Sequence, residues 1–198
     1  LVYIKNKNVL PVYIAYMRGA VKRMRMVEQG RYDFAIVSKL SADRYLKDHD
    51  DLQILYNFGE YSYLSKHVIC FSDEKATQIE DGMRVGLDEV SADTYDITIR
   101  LCNGKKVSFV PMEYYQSVEK VIKGELDAVV TNVDEIKDKG MPACYVDIDD
   151  LCEGYDNEAV LVTLKDSLIP DSYLSALIDK EVVLETQKLV LEKKLRLL

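Results

Sequence analysis

Gly30-Arg31-Tyr32-Asp33-Phe34-Ala35-Ile36-Val37-Ser38 and Gly124-Glu125-Leu126-Asp127-Ala128-Val129-Val130-Thr131-Asn132 are two copies of one pattern. Each follows an amphipathic stretch, with Val21, Met24 and Val27 at helical spacing before the first copy and Val118, Val121 and Ile122 before the second. The glycine falls just past the helix end, where a positive φ costs a residue without Cβ nothing. A short turn then leads into an apolar run of strand length that ends in a polar residue. Such a run is consistent with a buried parallel strand, so each copy reads as the αβ half of a βαβ unit. Two copies in one short chain imply two similar lobes.

Working outward, Val12–Tyr16 reads as the strand before the first helix, and Arg84–Asp88 as the strand before a helix that runs from Ser91 to about Cys102. Gly104 closes that helix. Lys106–Val110 is the next strand and Glu113–Lys123 the next helix, so the second half is a complete β-α-β-α-β unit. In the first half, β-α-β is followed by two extended segments, Leu52–Phe58 and Leu64–Phe71, expected in the same sheet. Val133–Gly140 is a short helix or loop, Cys144–Ile148 is extended and Glu158–Leu164 is another strand. Pro170 starts the longest helix, Asp171 to about Lys194, whose Leu174, Leu177, Ile178, Val182, Leu184, Leu189 and Leu191 cover a core or a partner subunit. The polar stretch Ser72–Gly82 and the acidic stretch Asp147–Asp156 read as crossings between lobes. The expected division is residues 1–74 with 150–198 in lobe 1 and 75–149 in lobe 2, an α/β fold with each lobe a mainly parallel sheet flanked by helices. A chain that leaves and re-enters a lobe supports closure about an interlobe cleft.

The 198 residues are 48% hydrophobic and 30% charged, with a net charge of −8. That balance argues against this chain itself gripping a nucleic-acid backbone, which takes clustered Lys and Arg. The richest basic run, Arg18–Arg25, reads as the solvated face of a helix or a phosphate contact. No run of ~18 uncharged apolar residues suggests a membrane span. The first residues carry no signal-peptide pattern, and without a starting Met the chain is expected to be a fragment. Cys70, Cys102, Cys144 and Cys152 form no CxxC pair and have no His at metal-ligand spacing, so buried reduced thiols in a cytoplasmic protein are the simpler reading and no metal is expected.

In open parallel sheets ligands bind beyond the carboxyl ends of strands. That rule selects Arg18 and Gly19 after the first strand, Ser38 and Lys39 after the second, Ser91, Asn132 and Asp134 in the other lobe, and Asn157 at the return crossing. A helix start attracts carboxylate or phosphate, and Arg18 adds a fork suited to an oxyanion. Ser91 reads either as a plain N-cap or as a ligand contact, and Asp93 beside it would repel an anion if it faced the cleft. Tyr16, Tyr61 and Tyr63 fall near strand ends, where each ring either walls a pocket or simply packs. The two histidines, His49 in an exposed acidic loop and His67 at a strand start, have no nucleophile beside them. GxSxG, P-loop and GxGxxG patterns are absent, so no catalytic residue and no cofactor is assigned. The acidic run Asp147–Asp150 fits a hinge loop better than a cation site.

AYMRGAVKRM (Ala15–Met24), GRYDFAIVSKLSAD (Gly30–Asp43), VGLDEVSADTYDIT (Val85–Thr98) and GELDAVVTNVDEI (Gly124–Ile136) resemble the C-terminal domain of the YhfZ-type bacterial transcription regulators, and the overall pattern resembles the type II periplasmic-binding-protein fold. The resemblance covers most of the chain. It implies an effector-binding domain, with DNA reached only through a winged-helix region outside this chain, and it places Arg18, Ser38, Ser91 and Asn132 at cleft-facing ends. Leu1–Leu10 does not read clearly as the strand and glycine-rich or proline-containing loop with which such a lobe opens. The resulting expectation is a cytoplasmic sensor of a small anionic metabolite, a homodimer without membrane contact. A solute receptor of a transport system and a small-molecule enzyme on the same fold are the alternatives.

Overall fold

The computed structural model describes residues 13, 15–140, 142–148, 157–168 and 179–192. The chain divides into two compact units, residues 1–63 with 156–198 and residues 64–155.

Unit 1 contains helix α1 (Ala20–Glu28), strand β1 (Phe34–Ser38), helix α2 (Lys39–Tyr45), strand β2 (Leu52–Gly59), and, after the whole of unit 2, strand β8 (Ala159–Leu164) and helix α6 (Lys180–Leu191). Its sheet runs β1-β8-β2. Both pairings are antiparallel, with Ser38 and Gly59 each opposite Ala159 at one end. The alternating side chains feed two cores. Met24 and Val27 of α1 pack with Ala35, Val37, Leu52, Val160 and Val162 on one face. On the other, Phe58, Ala159 and Leu161 pack with Phe34, Ile36 and the α6 residue Val183.

Unit 2 contains strand β3 (His67–Phe71), strand β4 (Arg84–Leu87), helix α3 (Ala92–Leu101), strand β5 (Ser108–Pro111), a 3-10 turn (Tyr114–Gln116), helix α4 (Ser117–Ile122), strand β6 (Ala128–Asn132), helix α5 (Val133–Lys139) and strand β7 (Cys144–Asp147). Its sheet runs β5-β4-β6-β3-β7. Strands β4, β5 and β6 are parallel, and β3 is antiparallel to both β6 and β7. The central strands β3 and β6 are apolar on both faces because both faces are covered. Ile69, Phe71, Ala128 and Val130 meet the α3 residue Ile97 on one side. Val68, Cys70 and Val129 meet Val118 and Val121 of α4 and Val133 and Ile136 of α5 on the other.

The repeated pattern folds the same way twice. Gly30 and Gly124 have φ of 66° and 69°. Gly30 N–H donates to Val27 O and Arg31 N–H to Met26 O, and Gly124 N–H donates to Val121 O and Glu125 N–H to Lys120 O, all at 2.9 Å. This double bond pattern is the Schellman turn that glycine favours at a helix end. In unit 2, Asp127 also locks the turn to the start of β4, accepting from Arg84 Nε at 3.0 Å, Nη2 at 2.7 Å and backbone N–H at 2.7 Å.

Several expectations need correction. The sheet of unit 1, among the described residues, is antiparallel rather than mainly parallel: an apolar run reports burial on both faces, not direction, and the partner strand β8 lies far along the chain. Leu52–Phe58 and Leu64–Phe71 are in different sheets, because the backbone turns at Gly59 (φ 88°) and Tyr61 (φ 61°) and the chain changes unit after Tyr63. Ser72–Gly82 is therefore not the crossing, and the boundaries at 74/75 and 149/150 move to 63/64 and 155/156. Ile79 is buried in the unit 2 core, and Gly82 N–H bonds Lys106 O at 2.7 Å, which ties that loop into unit 2. The expected first strand falls partly on Val12 and Ile14, which lie outside the described residues. Tyr13 and Ala15–Met17 form no strand. Pro170, Leu174, Leu177, Ile178 and Lys194 also lie outside them, and α6 covers only the later part of the expected helix.

Candidate functional site

In unit 1, Ser38, Lys39 and Asn157 lie at the end of the sheet marked by Ser38, Ala159 and Gly59. Ser38 is fully buried and caps α2: its Oγ accepts from Ser41 N–H at 3.3 Å and donates to Ser41 Oγ at 2.9 Å. Lys39 N–H donates to Glu158 O at 2.9 Å, and its ammonium pairs with Asp43 at 3.1 Å on the same helix face. Asn157 accepts from Tyr61 N–H through Oδ1 at 3.0 Å and from Tyr63 N–H through its carbonyl at 2.9 Å. Asn57 Nδ2 donates to Glu158 Oε2 at 2.7 Å. The side chains of Ser38 and Asn157 thus hold local structure. The tight turn after α1 reverses the chain, so α1 begins at the end of the unit where β1 finishes.

That helix start is unusual. Gly19 (φ 83°) is its N-cap, with no side chain to cap it and no acidic residue in the first turn. Each of the other described α-helices has a capping side chain or a first-turn acid: Ser38 for α2, Asp93 for α3, Glu119 for α4, Asn132 with Asp134 and Glu135 for α5, and Glu181 for α6. The start of α1 instead carries cations, namely exposed Arg18 and Lys22 and half-buried Arg23. Arg23 Nε is buried with no hydrogen-bond partner among the described residues. Helical side chains lean toward the N-terminus, so Arg23 leans toward this end. Tyr16 lies just before it and is 91% exposed.

In unit 2 the ends of β4 and β6 are tied by a polar network. Asp88 accepts from Val90 N–H at 2.9 Å and Tyr114 N–H at 3.2 Å. The Tyr114 hydroxyl accepts from Thr131 Oγ1 at 3.3 Å, Asn132 N–H at 3.1 Å and Asn132 Nδ2 at 2.6 Å. Burial, with Glu135 adding to it, pushes the Tyr114 phenol above its ordinary pKa, so it stays protonated. Asn132 Oδ1 caps α5 by accepting from Glu135 N–H at 2.7 Å. Asp134 accepts from Ser65 N–H at 2.7 Å and Ser65 Oγ at 2.6 Å. Asn132 and Asp134 are therefore committed to holding β6, α5 and the entry to β3 together. Ser91 is the N-cap of α3, yet its hydroxyl makes no capping bond. Asp93 is buried. The sequence reading missed Asp88, Tyr114 and Ser65. Only Asp88 had a local signal, an Asp at a strand end whose carboxylate reaches the N–H two residues on.

Elsewhere, His49 is not the solvent-exposed residue that its acidic loop suggested. Its Nδ1 faces Glu28 Oε1 at 2.6 Å, and its ring stacks on Tyr45 at 3.7 Å. Among the described residues no group of His, Cys, Asp and Glu could hold a metal, and no helix is long and apolar enough to cross a membrane. Cys70 and Cys102 are buried free thiols, with burial pushing Cys70 up to about 12. Cys144 is free and exposed, contrary to the expectation of a buried thiol, because β7 is a sheet edge. Cys152 lies outside the described residues.

Residues 4–196 match the family model described as the YhfZ C-terminal domain. The chain belongs to that family. The uncharacterized protein YhfZ of Escherichia coli (strain K12) is 35% identical over 185 residues, which are 91% of this chain and 60% of that protein. The chain thus spans less than two thirds of that relative's length. The crystal structure of YhfZ from Shigella flexneri superposes with a TM-score of 0.73 at 31% identity, over 98% of this chain and 84% of that one. The fold is shared more widely than the family. The methionine binding protein MetQ matches with a TM-score of 0.66 at 16% identity over 96% of this chain and 87% of that one. A hydrogen-peroxide-bound OxyR mutant from Corynebacterium glutamicum matches at 0.64 and 10% over 98% and 62%. The YhfZ fold is therefore the α/β class found in these solute-binding and OxyR chains.

Proposed function

We propose that this YhfZ-family chain is the effector-sensing part of a bacterial transcription regulator, and that its effector is a small anion anchored at the start of α1. The observation that carries the reading is the contrast between helix starts. The first-turn N–H groups of any α-helix lack intrahelical acceptors and carry partial positive charge. Of the six described α-helices, α2, α5 and α6 donate to a side-chain oxygen at that end and α3 and α4 carry an acid in the first turn, whereas α1 has neither and carries Arg18, Lys22 and Arg23 at or near its start. Like charges on a positive dipole end are unfavourable unless an anion joins them. Arg18 supplies the oxyanion fork, Gly19 lets the ligand approach the backbone, and Lys39 adds charge at the same end of the sheet. Ser38 and Asn157 position this end. Ser91, Asn132 and Asp134 are the candidate ligand residues of unit 2 taken by itself.

The regulator role, a homodimer and a cytoplasmic location belong to the same proposal, with DNA reached through a segment of the full-length protein outside this chain. The net charge of −8 supports that division of labour. The likeness to MetQ favours a second reading, a solute receptor, which shares the anion site and differs in having no ligand-dependent DNA binding. Non-enzymatic action fits both.

The test is a thermal-shift screen of the chain against small carboxylates, amino acids and phosphorylated metabolites, with Arg18→Ala alongside. A ligand at about 100 times its Kd stabilises the folded form by about 2.7 kcal/mol. The expected result is an anion that raises the parent's Tm and leaves that of folded Arg18→Ala unchanged. Stabilisation by neutral or cationic compounds only would sink the anion reading.

A further inference from the structure

The chain leaves unit 1 after Tyr63. Up to that point three successive residues are tied to unit 1. Asn157 Oδ1 accepts from Tyr61 N–H at 3.0 Å, and the Asn157 carbonyl accepts from Tyr63 N–H at 2.9 Å. Between them, the Ser62 hydroxyl accepts from Ala159 N–H at 2.8 Å. Tyr61 is held there with φ of 61°, a left-handed conformation that a bulky side chain keeps only where its surroundings over-determine it. Beyond that point three more residues are tied to unit 2. Asp134 accepts from Ser65 N–H at 2.7 Å and from Ser65 Oγ at 2.6 Å. Lys66 O accepts from Val133 N–H at 3.1 Å, and His67 opens β3 in register with Asn132.

Leu64 stands between the two sets. Among the described residues it makes no hydrogen bond. A backbone rotation at Leu64 therefore breaks none, whereas a rotation at any of the three residues on either side disturbs at least one, and a bond left unmade costs free energy. We propose that this outgoing connection is a one-residue joint: Leu64 takes up changes in φ and ψ while Tyr61–Tyr63 and Ser65–His67 each stay fixed to their own unit. A few residues at loop or element ends are enough to absorb such changes. Asn157 and Asp134 are the positioning residues that give the joint its two fixed ends. Leu64 is itself buried, so its restraint is apolar packing, which is non-directional, rather than a bond of set geometry. The joint is independent of the anion site proposed above. The returning connection, residues 149–156, lies outside the described residues.

The test is backbone amide NMR of the isotope-labelled chain, comparing the parent with Asp134→Ala and Asn157→Ala. In the parent, the Tyr61, Tyr63, Ser65 and Val133 amides are expected to exchange with solvent as slowly as strand amides, with microsecond-to-millisecond line broadening centred on Leu64. Asp134→Ala should speed exchange of the Ser65 amide by about tenfold or more, spread the broadening to Ser65 and Lys66, and leave Tyr61 and Tyr63 unchanged. Asn157→Ala should speed the Tyr61 amide by about the same factor and leave Ser65 unchanged. Broadening spread evenly from Gly59 to His67 in the parent, centred on another residue, or missing from Leu64 overturns the joint. A Ser65 amide indifferent to Asp134→Ala overturns the role of Asp134, and faster exchange of both sets of amides in either variant, the mark of general destabilisation, overturns both positioning roles. The parent profile decides the joint even where a variant does not fold. Asp134→Asn, which leaves one acceptor oxygen for two donors, then takes the place of Asp134→Ala and is read by the same Ser65 amide.

Discussion

Tyr114 and Asn132 are joined twice: the phenol oxygen accepts one hydrogen bond from the Asn132 backbone N–H at 3.1 Å and another from its side-chain amide at 2.6 Å. The pair fixes the 3-10 turn after β5 to the end of β6, where α5 begins. Tyr114→Phe removes the acceptor and leaves a partly buried amide and a backbone N–H without it. The expected cost is about 1–3 kcal/mol, read as a lower urea midpoint with an unchanged slope.

His67 gives the fold a dependence on acid. It opens β3 and is 6% exposed, and burial lowers its pKa from 6.5 to about 4. The unfolded chain therefore takes up this proton before the folded chain does. Stability from this source is complete above pH 6.5, falls as pH drops toward 4, and changes no further below that. The loss is at most about 3 kcal/mol. Urea unfolding at pH 7.5 and pH 4.5 measures it, and His67→Gln should reduce the difference. Glu28, lowered by its bond to His49, and Asp127, lowered by Arg84, contribute stability that is present above their ordinary carboxylate values and is lost as pH falls through their lowered folded values.

Ser117 is fully buried at the start of α4, and its hydroxyl has no hydrogen-bond partner among the described residues. Ser117→Ala removes a desolvated polar group and improves helix propensity. The expected effect is between no change and about 1 kcal/mol of stabilisation, measured by the shift in Tm. A loss above that range would mean that the hydroxyl has a partner in solution.

The repeated pattern was the readable part of the fold, because its physics is local. Gly30 and Gly124 close their helices by the same two bonds, and the polar residues ending the two runs, Ser38 and Asn132, cap the helices that follow. Strand direction was not readable. β1 and β6 have the same apolar signature, yet β1 pairs antiparallel with β8 whereas β6 has a parallel neighbour in β4. Those partners are set by long-range topology, and no window of sequence contains them. The site shows the same division. The cations and glycine at the start of α1 are visible as residues, and so is the absence of a cap. The role of Asn132 is decided by Tyr114, which lies distant in sequence and carries no mark of the contact.

β8 lies between β1 and β2, which do not pair with each other. All the described strands of unit 2 come from one uninterrupted segment, residues 64–155, and that segment is inserted before β8 is reached. During synthesis, then, unit 2 can acquire its sheet while β1 and β2 still wait, two apolar strands without the strand that joins them. Chain topology makes β8 the last strand of either sheet to be synthesised among the described residues. The newly made protein can pass through an interval in which unit 2 has all of its described strands and β1 and β2 still lack Ala159–Leu164. A transcript cut short inside that interval would yield a folded unit 2 with an unpaired leader, the form most exposed to proteases and to self-association.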